Sequence, residues 1–503
     1  MNRRRFLTMY AAAGATSFLH DLALAAADPW KTEFASALRG NPYLEGWRGT
    51  TEETLSASNL PIEGRIPAGL RGVFYRNGPA LHEVGDLRYH HWFDGDGMVQ
   101  SFRIADSGVG HLGRFVRTEK RVAELAARKA LRHVFGTEFA GAQPAPNPDS
   151  LNAANTSVVP HAGELLALWE GGSAYLLDGD SLETLGVKLW RQDLKGVPFS
   201  AHPKLDPQGT LWNFGLDPFG SLLVVYKVAR TGELADFGVV RAPDMTMVHD
   251  FAVTSKHLVF LLPPMRFNKE KASQGRSFLG SHEWLDGRPM RILVVDKNDL
   301  SSARTLELPA GFMFHFGNAW EDDAGTIRFD YLRYDDATTM TRTFRDLMRG
   351  VVVNQREAEV TLATVDLAKG VARQERMPGD AEFPRVDPRA VGSRHRYLFV
   401  GARSVEIAQR RGLNAVRRLD LDTGKTDEFD YGRDFMVEEH IVVPDRSSSQ
   451  EGRGWVIGTA LDVRQRKTVW SAFDALNLSA GPVARATLPY ALPLGFHGNF
   501  KAA

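Results

Sequence analysis

Four histidines in this chain share a local context that suits metal binding. His202, His249, His315 and His497 each lie beside Phe, Gly, Asp or Pro in a segment typical of the end of a buried strand. Any one of them alone would be read as a surface or satisfied core residue. Four neutral imidazoles that converge would form a site without an anionic ligand, which suits Fe, Cu, Ni or Zn. The pattern predicts a redox metal with open positions for small molecules, and an enzyme rather than a scaffold.

Three glutamates are candidates for hydrogen bonds to the ring nitrogens of these imidazoles that do not bind the metal. Glu170 follows an apolar run in Leu-Trp-Glu-Gly-Gly, Glu382 lies in Glu-Phe-Pro-Arg, and Glu439 lies in an apolar segment. A carboxylate on the second ring nitrogen sets the tautomer, and it balances the charge of the metal. Because Glu438 directly precedes Glu439, the sequence leaves open which of the two takes the third place.

The body of the chain consists of short β runs separated by Gly, Pro, Asp and Asn, for example residues 72–76, 222–228 and 454–459. Helical periodicity is confined to residues 119–135 and 339–349. Since no linker interrupts the pattern, we expect one all-β domain over residues 28–503, either a β-propeller or a large barrel.

Intervals of 47, 66 and 182 residues separate the four histidines. With blades of about 50–70 residues, these intervals are roughly one, one and three blade steps. The inner strand of each blade lines the central channel, so the four imidazoles would meet on the axis of a propeller.

The N-terminus is typical of an export signal. Arg3, Arg4 and Arg5 precede Phe-Leu, a mildly apolar stretch follows, and small residues offer cleavage sites after Ala25 or Ala27. Residues 1–27 therefore resemble a twin-arginine signal peptide, with the export machinery as a partner and the periplasm as the destination. The alternative is a soluble N-terminal helix.

Composition excludes several classes of protein. The 503 residues include no cysteine, which removes disulfides, thiolate catalysis and cysteine-ligated metal centres. The 61 basic and 61 acidic residues balance, so we expect no nucleic acid as a main partner. No apolar run of about 18 residues follows the signal, so the mature chain should not span a membrane.

Taken together, the histidine contexts, Trp-Glu-Gly-Gly (169–172), Glu-Phe-Pro-Arg (382–385), Tyr-Arg-Asn-Gly-Pro (75–79) and the segment 91–98 resemble the carotenoid cleavage oxygenases. That family includes apocarotenoid oxygenases, retinoid isomerohydrolase and lignostilbene dioxygenases. The likeness runs in order from about residue 45 to the C-terminus.

The resemblance implies a seven-bladed β-propeller with a helical and loop cap over the metal face. It implies Fe(II) held by the four histidines and O2 as co-substrate, with Glu170, Glu382 and Glu439 hydrogen-bonded to three of the ligands. Thr156 matches a family position near the vacant coordination site.

The leading hypothesis is a non-haem Fe(II) dioxygenase that cleaves a carotenoid or apocarotenoid double bond into two carbonyl products. The alternative is a lignostilbene-type dioxygenase acting on phenolic stilbenes, in which Lys120 and Tyr89 are candidate substrate contacts. An apolar patch at the cavity mouth would favour a polyene dissolved in a membrane, and hence peripheral membrane contact. A further hypothesis is a catalytically silent propeller, whose four histidines need not converge.

Overall fold

The computed structural model describes residues 28–242, 244, 246–353, 356–404 and 412–503. The signal segment predicted over residues 1–27 lies outside this range. The described chain is mostly β, and all of its strand pairs are antiparallel. The expected all-β class is therefore confirmed.

Three sheets come from the first half of the chain. The first contains β1 (Thr54–Leu60), β3 (Gly72–Arg76), β4 (Pro79–Leu81), β7 (Asp96–Ala105) and β8 (Gly108–Phe115), and receives the last strand, β34 (Gly498–Ala502). The second contains β9 (Ser157–His161), β10 (Glu164–Leu168), β11 (Tyr175–Leu177) and β12 (Thr184–Val187). The third contains β13 (Lys204–Leu205), β14 (Leu211–Asp217), β15 (Leu222–Val228) and β16 (Leu234–Arg241).

Three further sheets follow. The fourth contains β17 (Phe251–Val253), β18 (His257–Leu262), β21 (Met290–Asp296) and β22 (Asp299–Leu308). The fifth contains β23 (Phe312–Glu321), β24 (Thr326–Tyr334), β25 (Ala358–Asp366), β26 (Val371–Arg385), β27 (Tyr397–Ala402), β28 (Ala415–Asp420) and β29 (Thr426–Asp430). The sixth contains β30 (Phe435–Pro444), β31 (Gly454–Asp462), β32 (Lys467–Asp474), β33 (Ala484–Thr487) and β2 (Ile62–Gly64).

Short elements connect these sheets. Two small hairpins pair β5 (Glu83–Val84) with β6 (Leu87–Arg88) and β19 (Met265–Phe267) with β20 (His282–Trp284). The α-helices are α1 (Pro29–Gly40), α2 (Glu119–Ala127), α3 (Lys269–Ser273) and α4 (Phe344–Met348), and a π-helical turn, Thr339–Thr343, leads into α4. None of the described helices has the length and apolar character needed to cross a membrane. Because the sheets are unequal in size, strand pairing does not establish seven blades.

The chain closes on itself through strands that are distant in sequence. The early strand β2 pairs with β33, while the late strand β34 pairs with β3. The early strand β2 thus completes the sixth sheet, which consists mainly of late strands, and the late strand β34 completes the first sheet, which consists mainly of early strands. This exchange brings the segment around His497 beside strands from the start of the chain.

Local sequence explains the tight turns between strands. In the turn between β13 and β14, the Asp206 carboxylate accepts hydrogen bonds from the backbone N–H groups of Gln208 and Thr210. Gly209 in the same turn has a φ of +86°, a conformation that side chains with a Cβ rarely adopt. The Asp-x-x-Gly pattern therefore forms the predicted turn.

The core lies between neighbouring sheets. Between the third and fourth sheets, Phe214, Phe251 and Phe260 are buried, and the rings of Phe251 and Phe260 stack with centroids 5.3 Å apart. Such interleaved aromatic side chains remove large apolar areas from water. The third and fourth sheets thus stabilise each other through this shared core.

The helix predicted over residues 119–135 is shorter in the structure. It ends at Ala127, because Arg128 adopts a left-handed conformation with a φ of 53° and caps the helix. Two of its apolar side chains, Val122 and Leu125, are 43% and 45% exposed. The helix therefore presents apolar side chains to solvent and buries a charged face.

That charged face forms a buried ionic cluster. The Nζ of Lys120 lies 2.7 Å from Asp96 Oδ1, 3.0 Å from Glu124 Oε2 and 2.6 Å from the Tyr89 hydroxyl. All four residues are almost fully buried. Burial lowers the pKa of Lys120, but Asp96, Tyr89 and Glu124 outweigh it and raise that pKa well above its usual value. The lysine is therefore charged and paired.

We predict that Lys120→Met will lower the free energy of unfolding by about 3–5 kcal/mol, because it leaves buried carboxylates without one of their cations. Chemical denaturation would measure this loss. The control is Arg103→Met, which removes the exposed Arg103–Asp180 pair at the same 2.7 Å separation and should leave stability almost unchanged. Equal effects of the two substitutions would contradict the prediction.

Candidate metal centre

The four candidate histidines lie at sheet edges that meet. His202 and His249 each lie two residues before an edge strand, β13 and β17 respectively. His315 lies within the edge strand β23, and His497 directly precedes the edge strand β34. Four different sheets therefore each contribute one imidazole, and all four are buried.

The Nε2 atoms of these histidines come together. The Nε2 of His249 lies 3.0 Å from that of His202 and 3.3 Å from that of His315, and the Nε2 atoms of His315 and His497 are 3.2 Å apart. One ligand atom from each residue lies within 4.8 Å of all the others. Nitrogens bound to one metal at about 2.0–2.1 Å in neighbouring positions would be about 3 Å apart. The four side chains can therefore hold a metal ion.

Carboxylates orient three of the four rings. The Nδ1 atoms of His315 and His497 are hydrogen-bonded to Glu382 at 2.5 Å and to Glu439 at 2.9 Å, and the Nδ1 of His249 is in ion-pair contact with Glu170. A ring that donates through Nδ1 keeps the Nε2 lone pair for a metal. The three glutamates thus fix the tautomer that metal binding requires.

The structure distinguishes the two adjacent glutamates. Glu439 contacts His497 and also accepts two hydrogen bonds from Arg385, at 2.9 and 2.8 Å. The carboxylate of Glu438 instead pairs with Arg76 and accepts a hydrogen bond from the Thr459 hydroxyl. Glu439 is therefore the carboxylate beside the metal centre.

The pKa shifts of His202, His497 and Glu382 favour neutral imidazoles and an ionised carboxylate, as a metal ligand set requires, whereas the shift of His249 favours its protonated form. Burial lowers the pKa of His202 well below its ordinary value, and it lowers that of His497 to about 4. Burial would raise the pKa of Glu382, but the neighbouring His315 and hydrogen bonds lower it overall. At His249, burial lowers the pKa, but Glu170 more than offsets this and raises it.

The fourth imidazole differs from the other three. The Nδ1 of His202 lies 3.9 Å from Asp250 Oδ1, beyond hydrogen-bond distance, and no glutamate contact is seen there among the described residues. Asp250 instead contacts Lys204 at 2.7 Å. His202 is thus held in a different way from its neighbours.

A large cavity of about 1510 Å³ opens onto the histidines. His249, His315 and His497 line it, together with a cluster of aromatic rings around Phe93. The ring of Phe93 lies 5.3–5.9 Å, centroid to centroid, from three aromatic neighbours: Phe314, Phe344 and Phe496. The Nε2 atoms therefore face a space whose walls suit an apolar molecule.

Thr156 lies at the edge of this centre. It lines the cavity, and its carbonyl oxygen accepts a hydrogen bond from the His497 backbone N–H at 3.3 Å. Its hydroxyl donates to Asn155 Oδ1 at 3.0 Å. The structure thus places Thr156 beside the histidines, and its role at a vacant metal position stays a prediction.

Lys120 and Tyr89 have a different setting. They hydrogen-bond to each other within the buried ionic cluster, and neither is among the residues that line the cavity. Their polar groups are already occupied by Asp96 and Glu124. This geometry argues against the predicted contact with a substrate.

Two residues of the site were missed by sequence reasoning. Tyr334 lines the cavity, and its hydroxyl donates to Glu382 Oε1 at 2.9 Å. It lies 48 residues from Glu382, so no local pattern indicates the contact. Asp250 could have been noticed, because an acidic residue directly follows His249.

Comparison with known proteins agrees with this geometry. Residues 48–502 match the model of the family described as retinal pigment epithelial membrane protein. The apocarotenoid-15,15'-oxygenase of Synechocystis is 30% identical over 458 residues, which cover 87% of this chain and 92% of the relative. A lignostilbene-alpha,beta-dioxygenase isozyme of Sphingomonas paucimobilis is 31% identical over 474 residues, covering 88% and 94%.

A solved structure shows the same fold. The cobalt-substituted apocarotenoid oxygenase of Synechocystis superimposes with a TM-score of 0.82 at 27% identity, covering 92% of this chain and 98% of that one. The family match over residues 48–502 includes all four histidines. This chain therefore belongs to the family of the retinal pigment epithelial membrane protein and the carotenoid cleavage oxygenases.

Proposed function

We propose that this protein is a non-haem Fe(II) dioxygenase that cleaves a carbon–carbon double bond of a carotenoid or apocarotenoid with O2, giving two carbonyl products. The observation that carries the proposal is the group of four buried imidazole Nε2 atoms that opens onto an apolar cavity of about 1510 Å³. The relatives are named as oxygenases of carotenoids, apocarotenoids and lignostilbene, and the four imidazoles can hold the metal ion that such a reaction needs.

The residues present fit an iron ion. Neutral imidazoles suit Fe(II), and the three glutamates behind them balance its charge. Bound there, Fe(II) would supply the electron density that triplet dioxygen needs in order to react with a closed-shell alkene. The chain itself holds the imidazoles in one tautomer, excludes water with aromatic side chains and aligns a rod-like substrate along the cavity.

The size of the cavity and the aromatic part of its lining suit an extended polyene. The aromatic wall formed around Phe93 offers stacking surface along an extended apolar chain. A phenolic stilbene would need polar groups in the lining to bind its hydroxyls; Lys120 and Tyr89 do not line the cavity, but Gln143, Gln274 and Arg276 do. The stilbene alternative stays open because a lignostilbene dioxygenase is about as similar as the apocarotenoid enzyme.

Peripheral contact with a membrane is part of the proposal. The exposed side chains of Val122 and Leu125 lie on α2, and the exposed basic residues Arg128 and Lys129 follow it directly. Apolar side chains next to basic ones suit the surface of an anionic membrane. A substrate dissolved in the lipid could be taken up from there.

We further propose that the sheets form seven blades with a cap of loops and short helices. The fifth sheet would supply two blades, because β26 pairs with β25 over residues 371–381 and with β27 over residues 381–385. The other five large sheets would supply one blade each. Residues 131–151 and 267–281, many of which line the cavity, would belong to the cap.

Export through the twin-arginine pathway, with a periplasmic location, rests on residues 1–27 alone. A protein that takes up its metal while folding in the cytoplasm suits this route, because twin-arginine export carries folded proteins. The absence of cysteine is compatible with an oxidising compartment.

The proposal is tested by loading the purified protein with Fe(II) and incubating it in air with a panel of apocarotenals and hydroxystilbenes. We expect two carbonyl products from an apocarotenal, identified by mass, and no turnover by His315→Ala. The control is His111→Ala, which removes another buried imidazole that is hydrogen-bonded to Gln100 and Tyr490 and should retain activity. Cleavage of stilbenes alone would favour the alternative, and cleavage of neither would refute the proposal.

We predict that Glu170→Gln will weaken Fe(II) binding by about 10–100-fold while the protein stays folded, because a neutral amide holds the His249 ring less firmly than a carboxylate does. An anaerobic titration measures the affinity. The matched control is Glu164→Gln, six residues earlier, where the carboxylate pairs with Lys188. Unchanged affinity for Glu170→Gln would restrict Glu170 to a structural role.

We predict that lysine in place of both Arg3 and Arg4 will block export, since the paired arginines are what the machinery recognises. Immunoblots of periplasmic and cytoplasmic fractions measure the distribution. Arg5→Lys conserves charge outside the pair and should be exported normally. Normal periplasmic accumulation of the double variant would refute the signal peptide.

A further inference from the structure

One buried acid connects three of the strands that carry the histidines. Asp250 directly follows His249 and is 1% exposed. Its Oδ1 lies 2.7 Å from Lys204 Nζ, two residues after His202, and its Oδ2 accepts a hydrogen bond at 2.9 Å from the backbone N–H of Phe316, directly after His315. The same carboxylate therefore contacts the third, fourth and fifth sheets close to the candidate ligands.

The contacts of Asp250 need a carboxylate rather than any polar side chain. Three donors converge on its two oxygens: Lys204 Nζ, the Phe316 amide and, at 2.7 Å, the Phe251 amide. An ionised carboxylate only accepts, and it offers about four lone-pair sites for them. A neutral amide in its place would turn an N–H₂ group toward one of these donors.

His202 is held differently from the other candidate ligands, and Asp250 is the acidic residue next to it. It is the candidate ligand whose Nδ1 has no glutamate partner among the described residues, and Asp250 Oδ1 is the nearby carboxylate oxygen, at 3.9 Å. The distance excludes a direct hydrogen bond, so Asp250 acts on His202 through its charge and through Lys204 on the same segment. The position of His202 relative to His249 thus depends on this ion pair.

We propose that Asp250 is a positioning residue of the metal centre, which sets the spacing of His202, His249 and His315 by tying their strands together. This inference rests on the proposed function, since it concerns the same metal site. Asp250 would do for His202 what the three glutamates do for the other ligands. The difference is that it holds the backbone segment instead of the ring nitrogen.

The test uses cobalt(II), because visible absorption of the ion reports the arrangement of its ligands and cobalt occupies the related Synechocystis structure. We expect Asp250→Asn in the full-length protein to weaken Co(II) binding by about 10–100-fold and to change the absorption bands of the bound ion. A loss of stability alone would not alter those bands in the folded, cobalt-saturated protein.

The matched control is Asp387→Asn. Asp387 is also fully buried, pairs with Arg389 at 2.6 Å and accepts from the Gly452 backbone N–H at 3.0 Å. It should lower the melting temperature while leaving cobalt affinity and spectrum as in the wild type. An equal loss of affinity in both variants would overturn the proposal, because the effect would then reflect general destabilisation.

A second substitution covers the case in which Asp250→Asn does not fold. Lys204→Ala truncates a side chain that is 20% exposed and leaves both backbone hydrogen bonds of Asp250 in place. We expect a smaller loss of affinity and a shift in the same absorption bands. Wild-type affinity and spectrum in every folded variant would overturn the positioning role, whereas a wild-type protein that binds no cobalt would overturn the proposed function itself.

Discussion

The contacts between buried imidazoles and carboxylates are the constraint on which this structure depends. A carboxylate in a protein interior is costly unless it is paired, and an imidazole binds a metal only in the neutral form with a free nitrogen. Pairing the two groups meets both requirements at once. It also joins sheets, since Glu170 follows β10 while His249 precedes β17, and Glu439 lies on β30 while His497 precedes β34. The same contacts therefore contribute to the stability of the fold and to the geometry of the site.

The cavity shows a related division between polar and apolar surroundings. The Nδ1 sides of the rings face ionic partners in the protein, whereas the Nε2 sides face aromatic walls. The carboxylates at Nδ1 fix the orientation of the rings, and the aromatic side chains on the other side provide an apolar surface for a ligand. The imidazole rings therefore separate the carboxylates on their Nδ1 side from the cavity on their Nε2 side, which lets a charged metal centre lie next to an apolar substrate.

Local patterns predicted much of this, and long-range contacts explain what they missed. The run 222–228 coincides with β15 and the run 72–76 with β3, since alternation and turn residues are local properties. The helix predicted to reach residue 135 ends at Ala127, where Arg128 adopts a left-handed conformation that the side-chain pattern does not indicate. Burial of Lys120 could not be foreseen either, because Lys120 lies on α2 and its partner Asp96 lies on β7. Among site residues, those with recognisable neighbours were identified, and Tyr334, which acts across 48 residues, was not.

The placement of β34 has a consequence for how such a protein matures. The last of the four imidazoles follows the third by 182 residues and reaches its neighbours only when β34 pairs with β3. A nascent polypeptide still missing that strand would present three nitrogens, so full affinity for the ion would arise only after β34 has paired with β3. Metal binding would then indicate that folding is complete. The bound ion would stabilise, by mass action, the state in which β34 is paired with β3.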